Sequence, residues 1–136
     1  MRAVVDTNVV AYYLLATEPF VDEVRRFWHE VVEPMAPSSW EAELTNVVWM
    51  AVRHRVLPLA DGLHRLELAD RLGIQSIPSS SLWQGALSRA CASGVSPYDT
   101  LFVELADRAG APLATFDQHV LDAFPKLAWR PGALVQ

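Results

Sequence analysis

The stretch Arg2-Ala3-Val4-Val5-Asp6-Thr7-Asn8 decides the fold class, because a run of apolar residues rich in valine stops abruptly at polar ones. Such a run predicts a short buried strand over residues 2–5. The segment that follows, 9–15, is apolar throughout and predicts the start of a buried helix. A buried strand that leads directly into a buried helix indicates an α/β arrangement with a parallel sheet.

The rest of the chain repeats this alternation of strand and helix. Further strands are predicted at 35–36, 74–77, 111–115 and 127–129. Between them, helix-start signals occur at 17–19, 38–41, 58, 79–81, 96–99 and 118. We therefore expect a single domain over residues 1–136, with a three-layer α/β/α fold in which helices flank a short parallel sheet.

Three details of the helices can be predicted from local patterns. Ser38 with Glu41, and Ser96 with Asp99, match the capping box, in which two side chains bond each other's backbone amides at a helix start. Thr17, followed by Glu18 and Pro19, predicts a helix that begins at that point. In the helix after Pro58, the apolar spacing predicts that three leucines are buried: Leu59, Leu63 and Leu66.

Composition places the chain among ordinary globular proteins, with 51% apolar and 20% charged residues. A net charge of −5 argues against binding nucleic acid through general surface electrostatics. The single cysteine, Cys91, excludes an internal disulfide and a thiolate metal cluster within one chain. Asp6 and Asn8 interrupt the apolar stretch that an export signal requires, and no run approaches the roughly 20 apolar residues of a membrane span. We expect a cytoplasmic protein that does not bind membranes.

Four acidic residues stand where strands should end or helices should begin: Asp6, Glu43, Asp99 and Asp117. The carboxyl ends of parallel strands meet at one crevice, so acids far apart in the sequence can come together there. Clustered carboxylates repel one another unless protons or a divalent cation offset their charge. The pattern therefore favours a site for a hard metal ion, used for hydrolysis of phosphodiester bonds.

Three of these acids also have a local explanation. Asp6 and Asp117 can cap the helices that follow them, and Asp99 can complete its capping box. Glu43 differs, because Glu41 already serves the capping box and leaves Glu43 without a local role. Its helical phase is compatible with the rim of a cleft and with a solvated surface. Both the shared site and the local roles remain open from these residues alone.

Four motifs together resemble the PIN domain family, and within it the VapC toxins of bacterial toxin–antitoxin pairs. They are Val-Val-Asp6-Thr-Asn8-Val, Glu43-Leu-Thr-Asn46, Tyr98-Asp99-Thr-Leu-Phe-Val-Glu-Leu-Ala and Leu-Ala-Thr115-Phe-Asp117. They occur in the order and with the spacing of the family and span nearly the whole chain. Each motif alone is weak, whereas four in register are fairly specific.

The resemblance implies a PIN-like fold and a ribonuclease that depends on Mg²⁺ or Mn²⁺. Carried over position by position, the catalytic and metal-binding acids are Asp6, Glu43, Asp99 and Asp117, with supporting roles for Asn8 and Thr115. The chain departs from the family pattern after Asp117, where Gln118 and His119 replace the usual charged residue, and Asp122 is a possible substitute for Asp117. Metal ions in such a site polarise the scissile phosphate and activate water for in-line attack.

The resemblance also implies partners. VapC-like proteins act on RNA, are usually homodimers, and are held inactive by a small antitoxin that often inserts a basic side chain into the acidic site. Aromatic side chains are frequent anchors of such interfaces. Candidates in this chain are Tyr12, Tyr13, Trp49 and Trp83.

Two other interpretations fit parts of the sequence. A haloacid-dehalogenase-like phosphohydrolase also has an aspartate after its first strand. However, it needs a second early aspartate, where this chain has Asn8, and a catalytic lysine, for which Lys126 is poorly placed. A catalytically silent binding or scaffolding module would keep the fold without turnover. Retention of all four acids argues against it, because uncompensated carboxylates destabilise a site that has no ligand.

Overall fold

A computed structural model describes residues 1–135. Five strands lie in that range: β1 (Arg2–Val5), β2 (Glu33–Pro37), β3 (Gln75–Ile77), β4 (Leu113–Ala114) and β5 (Ala128–Trp129). The same range contains seven α-helices: α1 (Thr7–Leu14), α2 (Val21–Glu30), α3 (Trp40–Arg53), α4 (Leu59–Asp70), α5 (Trp83–Ser93), α6 (Pro97–Ala109) and α7 (Gln118–Ala123). Short 3₁₀ turns follow β3 at Ser79–Ser81 and β5 at Pro131–Leu134.

The five strands form one parallel sheet in the order β3-β2-β1-β4-β5. β1 lies at the centre because Ala3, Val4 and Val5 are apolar on both faces and fully buried. The chain moves outward from β1 through β2 and β3 on one side, and through β4 and β5 on the other. In a sheet of this kind, the crevice for ligands lies at the carboxyl ends of the two strands where the direction reverses, here β1 and β4.

Helices cover both faces of the sheet and complete the predicted three-layer α/β/α fold. On one side α6 packs across β1, β2 and β4, and α5 packs on α6. In the other layer α1 contacts α2, α3 and α4. The largest fully buried side chains join the layers: Phe27, Leu44, Leu82, Phe102 and Leu113. No helix within residues 1–135 is long and apolar enough to cross a membrane.

A buried acid with two basic partners fixes the junction of α5 and α6. Glu104 accepts hydrogen bonds from Arg89 Nε at 2.9 Å and from Arg108 Nε at 2.6 Å. Burial alone would raise the pKa of Glu104, but the two guanidinium groups bring it below its usual range. The helices approach so closely at Gly85 that an added Cβ atom would lie 2.5 Å from each Glu104 carboxylate oxygen.

One predicted helix start and both predicted capping boxes were wrong. Residues 17–20 form a turn, in which Phe20 N donates to Thr17 O, and α2 begins only at Val21. Neither Ser38 with Glu41 nor Ser96 caps its helix through the side chain. Partners distant in sequence replace the first capping box, because Ser38 Oγ contacts Ser79 Oγ and accepts from Ser79 N, while Glu41 Oε1 accepts from Ser76 Oγ.

The predicted burial of two leucines on α4 was also wrong, since Leu59 and Leu63 are 63% and 54% exposed. α4 instead faces α3 through Gly62, where an added Cβ would lie 3.1 Å from the side chains of both Val48 and Val52. This close approach sets the rotation of the helix. Leu63, about 100° further round the helix from Gly62, then points away from α3.

Candidate active site

The four acids predicted from sequence line a single cleft of about 400 Å³. Asp6 follows the end of central strand β1, and Asp117 follows the end of β4 after two intervening residues. Glu43 and Asp99 lie in the first turns of α3 and α6. The fold therefore brings side chains from four separate parts of the chain to the crevice where the strand order reverses.

A hydrogen-bonded link joins the two acids at the strand ends. The Thr115 hydroxyl is fully buried and donates to Asp6 Oδ2 at 2.7 Å, while Asp117 N donates to Thr115 Oγ1 at 3.1 Å. Asp6 occupies the N-cap position of α1 but its side chain makes no capping hydrogen bond, so the local explanation for this residue was wrong. Thr115 thus orients the Asp6 carboxylate toward the cleft.

Asp117 combines the two roles that the sequence left open. Its Oδ1 atom accepts from His119 N at 2.9 Å and from Val120 N at 3.3 Å, and so caps α7. The capping bonds use one carboxylate oxygen and hold the side chain in place at the cleft wall. Asp122, the alternative to Asp117, is exposed and accepts from Gln118 Nε2 at 2.7 Å instead. It is not among the residues that line the cleft.

Burial, and after it the charges of neighbouring acids, disfavours the ionised form of the acids in the cleft. Burial raises the pKa of Asp6 to about 6, the charges of Asp99 and Asp117 add to the rise, and the Thr115 hydrogen bond offsets part of it. Burial and the charges of Asp6 and Asp99 raise the pKa of Glu43 to about 7, and the nearby Ser39 hydroxyl offsets part of the rise. The pKa of Asp99 is also raised, by burial and by the charge of Asp117. At neutral pH these groups lack compensating charge.

The other two acids with little exposure, Glu23 and Glu104, each have a basic partner, in contrast to the acids of the cleft. Glu104 is paired with two arginines, and Glu23 is paired with Arg130. None of the ion pairs within residues 1–135 includes an acid of the cleft. Glu43 Oε1 is buried and has no hydrogen-bond partner. A buried oxygen that lacks both a cation and a donor is costly to keep, and its presence points to a missing positive group.

The donor set fits a hard divalent cation that keeps part of its water shell. Carboxylate oxygens are the preferred protein ligands of Mg²⁺, which binds through one or two carboxylates and retains several waters. Among the described residues, no three acidic, histidine or cysteine side chains converge closely enough to enclose an ion by themselves. Water and substrate oxygens would have to complete the coordination, as expected for an open catalytic site.

The cleft contains two polar residues that sequence reasoning did not assign to the site. Asn46 lies one helical turn after Glu43 on α3 and lines the cleft together with Asn8. Thr7 follows Asp6, and its buried hydroxyl has no hydrogen-bond partner. The i, i+3 spacing from Glu43 is a signal that could have identified Asn46. No comparable signal marks Thr7, because a threonine at a helix start is common.

Residues offered for other roles lie elsewhere. Lys126, the only lysine available to a haloacid-dehalogenase-like enzyme, lines a separate depression with Asp107 and Gly110 at the far end of α6. Trp49 and Trp83 are 52% and 61% exposed, as an interface anchor requires. Tyr12 and Tyr13 are partly buried, and each packs against another aromatic ring: Tyr12 against Phe20, and Tyr13 against Trp28.

Comparison with known proteins identifies the family. The structure is similar to a chain in the crystal structure of VapBC2 from Rickettsia felis bound to a DNA fragment from their promoter. The TM-score is 0.66 at 13% sequence identity, and the match covers 96% of this chain and 98% of that one, which supports the fold. No curated protein matches the sequence. The family model of the PIN domain matches residues 3–127. The chain therefore belongs to the PIN domain family.

Proposed function

We propose that the protein is a metal-dependent endoribonuclease whose catalytic residues are Asp6, Glu43, Asp99 and Asp117. PIN domains are generally nucleases and generally use divalent metal ions. The observation that carries the proposal is the set of uncompensated carboxylates in one cleft, while the partly buried Glu23 and the buried Glu104 are paired with arginine. A divalent cation is the group that removes this repulsion and also attracts a phosphodiester.

Each residue has a defined part in this proposal. Asp6 is the central ligand, because Thr115 fixes its orientation and two further acids surround it. Asp99 and Asp117 supply further oxygen ligands, and Glu43 supplies its free Oε1 atom. Asn8 and Asn46 offer amide groups at the mouth of the cleft. The bound cation supplies charge neutralisation and water activation for in-line attack on the phosphate.

Cleavage of a mixed pool of structured RNA by purified protein tests the proposal. We expect cutting with Mg²⁺ or Mn²⁺, none with chelator, and a loss of roughly a hundredfold or more in Asp99→Asn. Asp122→Asn is the matched control, because it removes a carboxylate that lies outside the cleft. RNA cleavage that continues in the presence of chelator, or that is equally fast in Asp99→Asn and the wild type, would show that these acids do not form the catalytic site.

We further infer that the protein is the toxin of a toxin–antitoxin pair and acts in the cytoplasm. The fold-level similarity to a chain of VapBC2 supports this assignment, as do the four sequence motifs. An antitoxin that inserts a lysine or arginine into the cleft would pair the acids that have no partner in the isolated chain. The same insertion would block the metal site, so inhibition and charge compensation would have a single physical cause.

A homodimer is the proposed state of the isolated toxin. The exposed large apolar side chains include Trp49 and Met50 on α3, Leu59 and Leu63 on α4, and Trp83 and Leu87 on α5. Exposed apolar side chains that lie together mark interaction surfaces, and these residues are the candidates for the dimer interface. Light scattering should give twice the chain mass of 15.1 kDa, and Trp49→Glu or Trp83→Glu should reduce it. A monomeric wild type at micromolar concentration would contradict the homodimer. Two variants that both stay dimeric would contradict the placement of its interface at these side chains.

A further inference from the structure

A second polar network joins α2 to the segment that follows β5. Arg130, just after β5, donates from Nη2 to Glu23 Oε1 at 2.7 Å and from Nε to Glu23 Oε2 at 3.3 Å. Gly132 N donates to the same Oε2 at 2.8 Å. The Glu23 side chain is only 18% exposed, and although burial alone would raise its pKa, the bonds from Arg130 and Gly132 lower it. Glu23 is thus fully engaged and holds Arg130 in one orientation.

The same guanidinium group covers the ring of Phe116. Its central carbon lies 4.9 Å from the centre of that ring. The Phe116 ring also contacts Tyr12 and Phe20, with centroid distances of 5.4 and 4.9 Å, and those two rings stack on each other at 4.6 Å. Phe116 is therefore held by a planar cation and by an aromatic pair.

Phe116 stands between the two residues that organise the acidic cleft. Thr115 on one side orients Asp6, and Asp117 on the other lines the cleft and caps α7. Consecutive Cα atoms are only about 3.8 Å apart, so a shift of Phe116 would move both neighbours. A displacement of about 1 Å in a catalytic group can lower a rate by about a hundredfold. The position of the Phe116 ring is thus coupled to the geometry of the cleft.

We propose that Glu23 and Arg130 are positioning residues for the acidic cleft, which they hold in its working geometry through Phe116. The inference rests on the proposed metal-dependent nuclease activity. Neither residue contacts the acids of the cleft or needs to contact RNA. Glu23 holds the guanidinium group, the guanidinium group holds the ring, and the ring fixes Thr115 and Asp117.

Four variants distinguish a role in positioning the acids of the cleft from a role in stabilising the fold alone. Arg130→Gln and Glu23→Gln remove the ion pair from either side, their double variant tests coupling, and Arg130→Lys keeps the charge but loses the planar fork. Arg2→Gln is the matched control, because Arg2 is about as exposed as Arg130 and pairs with Glu33 on another part of the surface. All measurements are made at a temperature where every variant is folded.

The first measurement needs no metal and no substrate. Asp117 N donates to the Thr115 hydroxyl, so exchange of this amide hydrogen reports the order of the segment directly. We expect exchange at Asp117 to accelerate about tenfold in Arg130→Gln, in Glu23→Gln and in Arg130→Lys, and to be unchanged in Arg2→Gln. Unchanged exchange at Asp117 in all three variants would overturn the proposal.

The second measurement is made on the working site. We expect the dissociation constant for Mn²⁺ to rise and kcat for RNA cleavage to fall, each by about fivefold to twentyfold, with little change in KM. The double variant should be no worse than either single one, because both residues act through one contact. If the variants unfold at a lower temperature but keep wild-type Mn²⁺ affinity and kcat, the network only stabilises the fold and the proposal is wrong. If the wild type itself binds no Mn²⁺ and cuts no RNA, the proposed function fails, whereas the exchange at Asp117 still decides whether the network orders the segment.

Discussion

The substitution Asp6→Asn should lower the rate of RNA cleavage by roughly a hundredfold to a thousandfold. The same variant should be more stable than the wild type in metal-free buffer at pH 7.5. The loss follows from the central place of Asp6 among the acids of the cleft. The gain follows because asparagine removes a charge that burial and its acidic neighbours disfavour. The new side chain also keeps an oxygen that can accept from Thr115 Oγ1. After allowance for water in the cleft, we expect a gain of about 1 to 2 kcal/mol in the free energy of unfolding.

Urea denaturation of metal-free protein, together with a cleavage assay on the same samples, measures the two effects. Asp122→Asn again serves as the control, since its carboxylate is exposed and hydrogen-bonded to Gln118. It should change neither quantity appreciably. An Asp6→Asn variant that is both inactive and less stable would indicate a structural role for Asp6 and would remove the main support for an electrostatically disfavoured site.

The dependence of stability on pH and metal is the second large effect. The pKa of Asp6 rises from 3.8 to about 6 on folding and that of Glu43 from 4.5 to about 7. Between roughly pH 4 and pH 7 the folded state therefore binds more protons than the unfolded state, and the free energy of unfolding falls as pH rises. Because the carboxylates are partly exposed, we discount the effect and expect the free energy of unfolding to fall by about 2 kcal/mol from pH 5 to pH 8 without metal.

The paired acids do not reverse this trend. The pKa values of Glu23 and Glu104 are lowered on folding from 4.5, so their stabilising contribution is nearly complete by about pH 5.5 and is lost as the solution becomes more acidic. Their contribution is nearly constant across the window from pH 5 to pH 8. The change of the free energy of unfolding with pH in that window therefore comes mainly from the acids of the cleft.

A bound metal ion should cancel the fall of the free energy of unfolding with rising pH. A cation that binds only the folded state stabilises it by about 2.7 kcal/mol at a hundred times its dissociation constant. Protons compete for the same carboxylates, so the stabilisation should be greater at pH 8 than at pH 5.5. Thermal unfolding from pH 5 to pH 8 with Mg²⁺, with Mn²⁺ and with chelator measures this stabilisation.

The double variant Asp6→Asn, Glu43→Gln should lose both the dependence of stability on pH and the stabilisation by metal. A metal-free wild type whose stability rises from pH 5 to pH 8 would contradict the account.

The sequence predicts the parts of the site that depend on strand order. Asp6 and Asp117 were identified because each follows a strand, and parallel strands deliver their carboxyl ends to one edge of the sheet. The parallel sheet and the three layers were predicted for the same reason, since apolar strands alternate with helices along the whole chain. Glu43 was singled out on a wrong premise, because Glu41 pairs with Ser76 rather than with the start of α3.

What the sequence could not predict depends on residues distant in the chain. The capping box at Ser38 was a sound local pattern, but Ser79 lies 41 residues away and takes over the Ser38 hydroxyl. The partners Glu23 and Arg130 are separated by 107 residues, and nothing in either local sequence points to the other. The exposure of Leu63 depends on how closely α3 and α4 approach at Gly62. These features arise from packing, which local periodicity does not encode.

The most direct test of the acidic cleft as a metal site is a crystal soaked in Mn²⁺ and measured for anomalous scattering. The account predicts a peak among the carboxylates of Asp6, Glu43, Asp99 and Asp117, with water completing the coordination. The peak should vanish in Asp6→Asn and persist in Asp122→Asn. Crystals of wild-type protein at pH 7.5 with saturating Mn²⁺ and no peak in the cleft would contradict it.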